Sequence, residues 1–173
     1  MKKSLKTFSL LLLSGTLFFT ACQKDNENGK STLNVRLTDA PADYNEVNVD
    51  IKEIRVKFSG DTTDAGWQTL DTHAGVYNLL DYQNGKDTLL ASASVPTKSV
   101  QQIRAILGEN NSIKVDGIVY PLTIPSGAES GLKIMVNKKL NQPIETMVID
   151  FDALLSVHEE NGGYKLRPVI TVK

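Results

Sequence analysis

Apolar and polar residues alternate with a period of two along most of this chain, the pattern of strands with one face against a core. Leu33, Val35 and Leu37 alternate with Asn34, Arg36 and Thr38. After an Asp-Ala-Pro turn, Val47, Val49 and Ile51 alternate with Asn48, Asp50 and Lys52. The phase then slips, because Ile54, Val56 and Phe58 make up the next apolar set. A slip of one residue turns every later side chain to the opposite face. The pattern therefore predicts a bulge near Lys52-Glu53, or two strands that change sheet at a corner.

The same rhythm predicts short strands over 67–70, 75–80 and 88–95, with Asn84-Gly85 as a hairpin turn signal. Residues 100–107 are ambiguous: Val100, Ile103 and Leu107 fit a helical face, whereas Ile103, Ala105 and Leu107 fit a strand. Asp116-Gly117 joins residues 113–115 to 118–122 as a two-residue hairpin. A Pro/Gly/Ser loop fills 125–131, and strands follow over 132–136, 144–151 and 164–172, with Pro168 marking an edge or a bulge. Many short strands, Gly-rich turns and no long helix predict an all-β sandwich or barrel.

The N-terminus changes the picture from a domain to a displayed domain. Lys2, Lys3 and Lys6 precede an apolar stretch, Phe8–Phe19, too short for a stable membrane span. It ends in Phe19-Thr20-Ala21-Cys22, and Cys22 is the only cysteine. A small residue before a lone cysteine after such a stretch has the form of a bacterial lipobox. Cleavage there makes 1–21 a lipoprotein signal peptide and leaves Cys22 lipidated on its sulfur and its new amine. Two or three acyl chains, at about 0.8 kcal/mol per buried CH₂, form a durable anchor. Residues 23–31 carry no apolar side chain, so 22–31 reads as a tether ahead of one domain at 32–173. Lysine and acids just after the cysteine resemble the surface-export signal of Bacteroidota lipoproteins, which implies an outer-membrane protein facing outward.

Removing 1–21 takes away three of 19 basic residues and none of 20 acidic ones, leaving 16 against 20 and a net charge of −4. A mildly acidic chain has no electrostatic case for nucleic acid.

LTDAPADYNEVNVDI (37–51), Trp67, SGLKI (130–134), DFDA (150–153) and YKLRPVITV (164–172) occur in a recognisable order. Together they resemble the bacterial lipoprotein family known as domain of unknown function 4382, across 32–173. Val95-Pro96-Thr97-Lys98 departs from the leucine-proline-alanine-glycine turn usual in that family. QQIRAIL (101–107) resembles the family's segment ending in isoleucine-arginine-leucine, which tips 100–107 towards strand. The arrangement also resembles immunoglobulin- and prealbumin-like sandwiches, by fold analogy. The family implies no activity.

Candidate chemistry is sparse. Asp39, Asp43, Asp150 and Asp152 are the polar set that invites Ca²⁺, a hard cation needing several oxygens, yet they lack the dense spacing of a calcium loop. The competing reading gives Asp39 a turn-capping role and makes Asp150 and Asp152 strand terminators. As a carboxylate pair, Asp150 and Asp152 would also suit a glycoside hydrolase, but nothing singles them out among 20 acids. His73 and His158 sit in stretches read as polar loops and lack a second ligand at metal spacing. Trp67 and Tyr44, Tyr77, Tyr82, Tyr120 and Tyr164 raise sugar stacking, with Trp67 at a rim as candidate platform and core packing as the alternative. Asp61-Thr62-Thr63 and Asp87-Thr88-Leu89 match the loose O-glycosylation tripeptide of Bacteroidota exported proteins. The expectation is a non-enzymatic, membrane-anchored module binding a glycan or an envelope protein, with no cofactor. A structural envelope subunit and a carboxylate-based hydrolase are the alternatives.

Overall fold

A computed structural model describes residues 29–125 and 131–173, with the Asp64 side chain left out. The signal peptide and Cys22 lie outside the described residues, as does most of the expected tether. The strands in chain order are β1 (Lys30–Asp39), β2 (Glu46–Phe58), β3 (Trp67–Thr69), β4 (Asp71–Thr72), β5 (Gly75–Asn78), β6 (Thr88–Pro96) and β7 (Ser99–Leu107). Then come β8 (Ser112–Val115), β9 (Ile118–Thr123), β10 (Leu132–Lys139), β11 (Ile144–Phe151), β12 (Val157–Glu160), β13 (Gly163–Leu166) and β14 (Ile170–Val172). The one α-helix among the described residues is a single turn, α1 (Ala153–Ser156).

The strands form two packed sheets rather than a closed barrel, an all-β sandwich. The first sheet runs β14-β11-β1-β6-β4. The second runs β10-β7-β2-β8-β9-β13-β12, with β3 and β5 also paired to β2. Leu33, Val35, Leu37, Met147, Ile149 and Phe151 face the second sheet from β1 and β11, each at most 2 % exposed. Full burial of one such side chain is worth about 1.5–3 kcal/mol, so the alternation seen in the sequence accounts for the pairing of these two strands.

β2 carries the predicted bulge. Its pairing with β7 shifts between Ile51 and Glu53, leaving Lys52 as the extra residue. Val47, Val49, Ile51, Ile54, Val56 and Phe58 are consequently all buried, while Lys52 is exposed. No corner is needed. Residues 99–107 are a strand, with Val100, Ile103 and Ala105 buried.

Four expectations are corrected. The strand expected over 75–80 stops at Asn78, whose side chain accepts from the Leu80 N–H and starts a 3-10 turn, Leu79–Tyr82. Asn84-Gly85 does adopt the left-handed backbone of a tight turn, but joins that 3-10 turn to β6 instead of two paired strands. The strand expected over 164–172 is two strands in different sheets, because Pro168 lacks a backbone N–H and the ladder breaks at Arg167–Val169. His158 is likewise in a strand: it sits in β12 opposite Lys165.

The segment 67–78 stitches one side of the sandwich shut. β3 pairs with β2, β4 crosses to β6 in the first sheet, and β5 returns to β2.

Candidate functional site

The aspartates named above do not gather into a cation site. Asp39 ends β1 at 5 % exposure and ties together segments far apart in sequence. One oxygen accepts from the Ala153 N–H at 2.9 Å, and the other from Gln83 Nε2 at 3.0 Å. The Asx-turn role is therefore corrected: the bond reaches across 114 residues to the first turn of α1. Burial is the main force pushing the Asp39 carboxyl above its ordinary value, with Asp152 and Asp150 adding repulsion against the lowering effect of its hydrogen bonds.

Asp152 is the N-cap of α1, accepting from the Leu155 N–H at 2.9 Å. That is the usual use of an aspartate at a helix start. Asp150, on β11, pairs with Lys173 Nζ at 2.5 Å. Asp43 is exposed in the β1–β2 connection. Among the described residues no three Asp, Glu, His or Cys side chains form a group able to hold a metal ion. The hydrolase reading gains nothing from this arrangement, since Asp150 is engaged by a lysine and Asp152 by a helix cap.

Trp67 is a packing residue rather than a free platform. It lies opposite Lys57 in the β2–β3 pairing. The Arg104 guanidinium stands 4.2 Å from the ring centroid and the Lys57 ammonium 5.9 Å away. Cation–π contact of this kind occupies the surface a sugar would need, and the indole nitrogen is buried.

Three of the tyrosines do converge, at the far end of the second sheet. In the β8–β9 hairpin Tyr120 lies opposite buried Ile113, and in the parallel β9–β13 pair Tyr164 lies beside buried Leu122. Both rings therefore share the sheet's inner face. Along that face of β9 exposure rises from Leu122 at 3 % through partly buried Tyr120 to Ile118 at 56 %. The core thus grades into an open shelf where this sheet outruns the first. The Tyr120 and Tyr164 ring centroids are 5.1 Å apart with planes tilted by 56°. That separation is within the preferred range for an aromatic pair. Tyr44, from the β1–β2 connection, is close enough to influence the Tyr164 phenol, as are Glu159 and Asp116. Desolvation first, then these neighbours, push that phenol above its ordinary value, so it remains a protonated donor at neutral pH.

A cleft of about 540 Å³ adjoins the shelf, lined by Leu107, Gly108, Glu109, Asn111 and the residues 121–124 of β9 and its continuation. Leu122 in its wall shares the face of Tyr120. Its size is within the usual range for small-ligand pockets. Gly108 is required there, because a Cβ would lie 2.1 Å from an Asp50 carboxylate oxygen. Asp50 is 1 % exposed, accepts from the Asn110 N–H at 3.2 Å and pairs with Lys52 at 3.0 Å. Asn111 clamps the same corner, accepting from the Asp50 N–H at 2.8 Å and donating to the Gly108 carbonyl at 2.7 Å. Sequence reasoning named the tyrosines without grouping them and missed Ile118, Glu159, Asp50 and Asn111. The phase of β9 held a signal for the first of these, since Ile118, Tyr120 and Leu122 alternate on one face.

No curated protein and no solved structure matches this chain. The model of one family covers residues 30–168, from the start of β1 to the break before β14, and by that match the chain belongs to the family described as domain of unknown function DUF4382.

Proposed function

We propose that this chain is a non-catalytic glycan-binding module, anchored in the outer membrane through lipid on Cys22 and displayed outward. The shelf of Tyr120, Tyr164, Tyr44 and Ile118 carries the reading. Aromatic faces pack against the C–H faces of pyranose rings, and phenol hydroxyls with adjacent carboxylates supply directional bonds to sugar hydroxyls. Glu159 and Asp116 are exposed beside the rings. The tilt between the two rings suits a chain whose successive sugars turn, rather than a flat crystalline surface.

Binding of the mature domain to a panel of neutral oligosaccharides tests this. Tyr164→Ala and Ile118→Asp should each weaken the best ligand by about tenfold, the scale of one lost stacking contact. Tyr164→Phe should keep most of the affinity, and Trp67→Ala should leave it unchanged in a folded variant. Loss on Trp67→Ala with no loss on Tyr164→Ala would overturn the shelf as the site.

The anchor has its own test. Cys22→Ala should move the protein from the membrane fraction to the soluble fraction of cells. Retention in the membrane fraction would remove the lipid from the proposal.

The alternative of a structural envelope subunit rests on Leu154, Leu155 and Val169, exposed by 51 %, 55 % and 39 %. They group around α1, because the Val169 N–H donates to Ser156 Oγ at 2.8 Å and the Asp152 N–H to the Val169 carbonyl at 3.0 Å. Three such residues are fewer than a stable subunit interface uses.

A further inference from the structure

The two ends of the sandwich differ in charge, and the chain enters at the basic one. Gly29 leads into β1 beside the β6–β7 turn, where its carbonyl accepts from the Thr97 N–H at 2.9 Å. The end of β10 is tied to the same turn, the Leu140 N–H donating to the Lys98 carbonyl at 3.2 Å. Lys30, Lys98 and Lys139 are thereby brought to one end from three separate segments. All three are exposed, and none forms an ion pair among the described residues.

The described carboxylates at this end are already engaged. Asp61 accepts from the Thr63 N–H at 3.0 Å and from Thr63 Oγ1 at 2.8 Å, and those bonds, more than Lys57 or Lys98, hold its pKa low. Glu145 accepts from the Asn141 and Gln142 N–H groups at 2.9 and 3.0 Å and pairs with Lys138 at 3.5 Å. At the opposite end Asp87 is held by Arg36, but exposed Asp43, Asp81, Glu109 and Asp116 form no ion pair among the described residues and outnumber the unpaired Lys86. β2 spans the distance between the ends with 13 residues, about 40 Å.

We propose that the Lys30–Lys98–Lys139 end is a membrane-facing surface that engages anionic lipid headgroups and holds the tyrosine shelf away from the bilayer. The orientation rests on the lipid-anchor reading given above. Only residues 23–28 separate Cys22 from Gly29. Six residues reach at most about 20 Å. A domain held that close presents to the bilayer the end where its tether enters. Three lysines attract an anionic surface while the acidic far end is repelled by it, so the charge asymmetry turns the domain the same way as the tether. The attraction falls off within about a Debye length, roughly 8 Å in physiological salt.

The mature chain carrying Cys22→Ala, and therefore no lipid, is sedimented with vesicles of phosphatidylcholine alone and of phosphatidylcholine with phosphatidylglycerol. It should partition only onto the anionic vesicles, and release as salt is raised. Each of Lys30→Gln, Lys98→Gln and Lys139→Gln should lower partitioning by about fivefold, the usual worth of one lysine at an anionic surface. Lys86→Gln, in the turn before β6 at the far end, should not change it. The triple Glu variant should fall to background while keeping its melting temperature, since the lysines are exposed and unpaired among the described residues. Equal binding to neutral vesicles, or parental partitioning by the triple variant, overturns the proposal. So does stronger binding to polygalacturonate than to anionic vesicles, which would reassign the lysines to an acidic glycan. Cell fractionation of Cys22→Ala reads the anchor separately, so failure of the anchor and failure of the lysine surface are told apart.

Discussion

Deleting Lys52 should leave the chain without a cooperative unfolding transition, whereas Lys52→Arg should melt within a few degrees of the parent. The bulge absorbs one residue between Ile51 and Glu53. Without it Ile54, Val56 and Phe58 take the outward face and Arg55 and Lys57 take the core. Those three apolar side chains are 0 %, 0 % and 8 % exposed. Exposing them forfeits about 1.5–3 kcal/mol each. Burying the Arg55 charge in their place, and stripping Lys57 of its bond to the Thr63 carbonyl, adds several kcal/mol more. Together these exceed or equal the whole stability of an ordinary domain, about 5–15 kcal/mol. β2 also cannot escape by sliding, since it pairs with β7, β8, β3 and β5 and every one of those registers would have to move. Lys52→Arg keeps both the backbone count and the positive charge beside Asp50, a carboxylate only 1 % exposed that alanine would leave buried without its 3.0 Å partner. Circular dichroism melts of the two variants decide the point. A cooperative transition in the deletion variant would show that another residue takes over the bulge.

That bulge was legible because a change of phase in a period-two pattern has few physical solutions. The turn at Asp116-Gly117 was legible from turn chemistry, with Asp116 at φ 49° and Gly117 at φ 82°, whereas 100–107 fitted a helix or a strand by pattern and was tipped towards strand only by its family resemblance. What could not be read was pairing across the sandwich. Nothing near Asp39 in sequence indicates that its partners are Ala153 and Gln83. Nor does a single strand pattern say that 164–166 and 170–172 join different sheets, although Pro168 marks the place. The candidate site was half legible for the same reason. Aromatic residues could be named one by one, but a shelf exists only where one sheet outruns the other, and sheet lengths are set by long-range pairing. For Trp67 the sequence left a rim and a packing role side by side, because the residue that covers it, Arg104, comes from a strand 37 positions later.

Asp39→Ala should destabilise the domain by about 3 kcal/mol and lower its melting temperature by roughly 10 °C. The carboxylate serves two donors, the Ala153 N–H at the start of α1 and Gln83 Nε2 after the 3-10 turn. Alanine leaves the first without a partner in a buried position, since Ala153 is 0 % exposed. An orphaned buried donor costs about 1–3 kcal/mol, and bonds to a charged acceptor are at the stronger end. Gln83 keeps its 3.2 Å bond to the Ala40 carbonyl, so its loss is partial. Asp39→Asn retains an acceptor for Ala153 and should cost less than alanine. The pH dependence separates the charge from the hydrogen bonds. Burial raises the native pKa of Asp39 above its unfolded value. Between those two values the native state holds a proton that the unfolded chain has released. This group's contribution to stability is therefore greatest below the window and declines as pH rises through it. Asparagine has no such slope. The deficit of Asp39→Asn against the parent should accordingly be smaller at neutral pH than below the window, as read from urea midpoints at a series of pH values. A deficit that instead grows towards neutral pH would mean that the ionised carboxylate is favoured in the native state. The knot of β1, α1 and the 3-10 turn would then be held by charge rather than in spite of it.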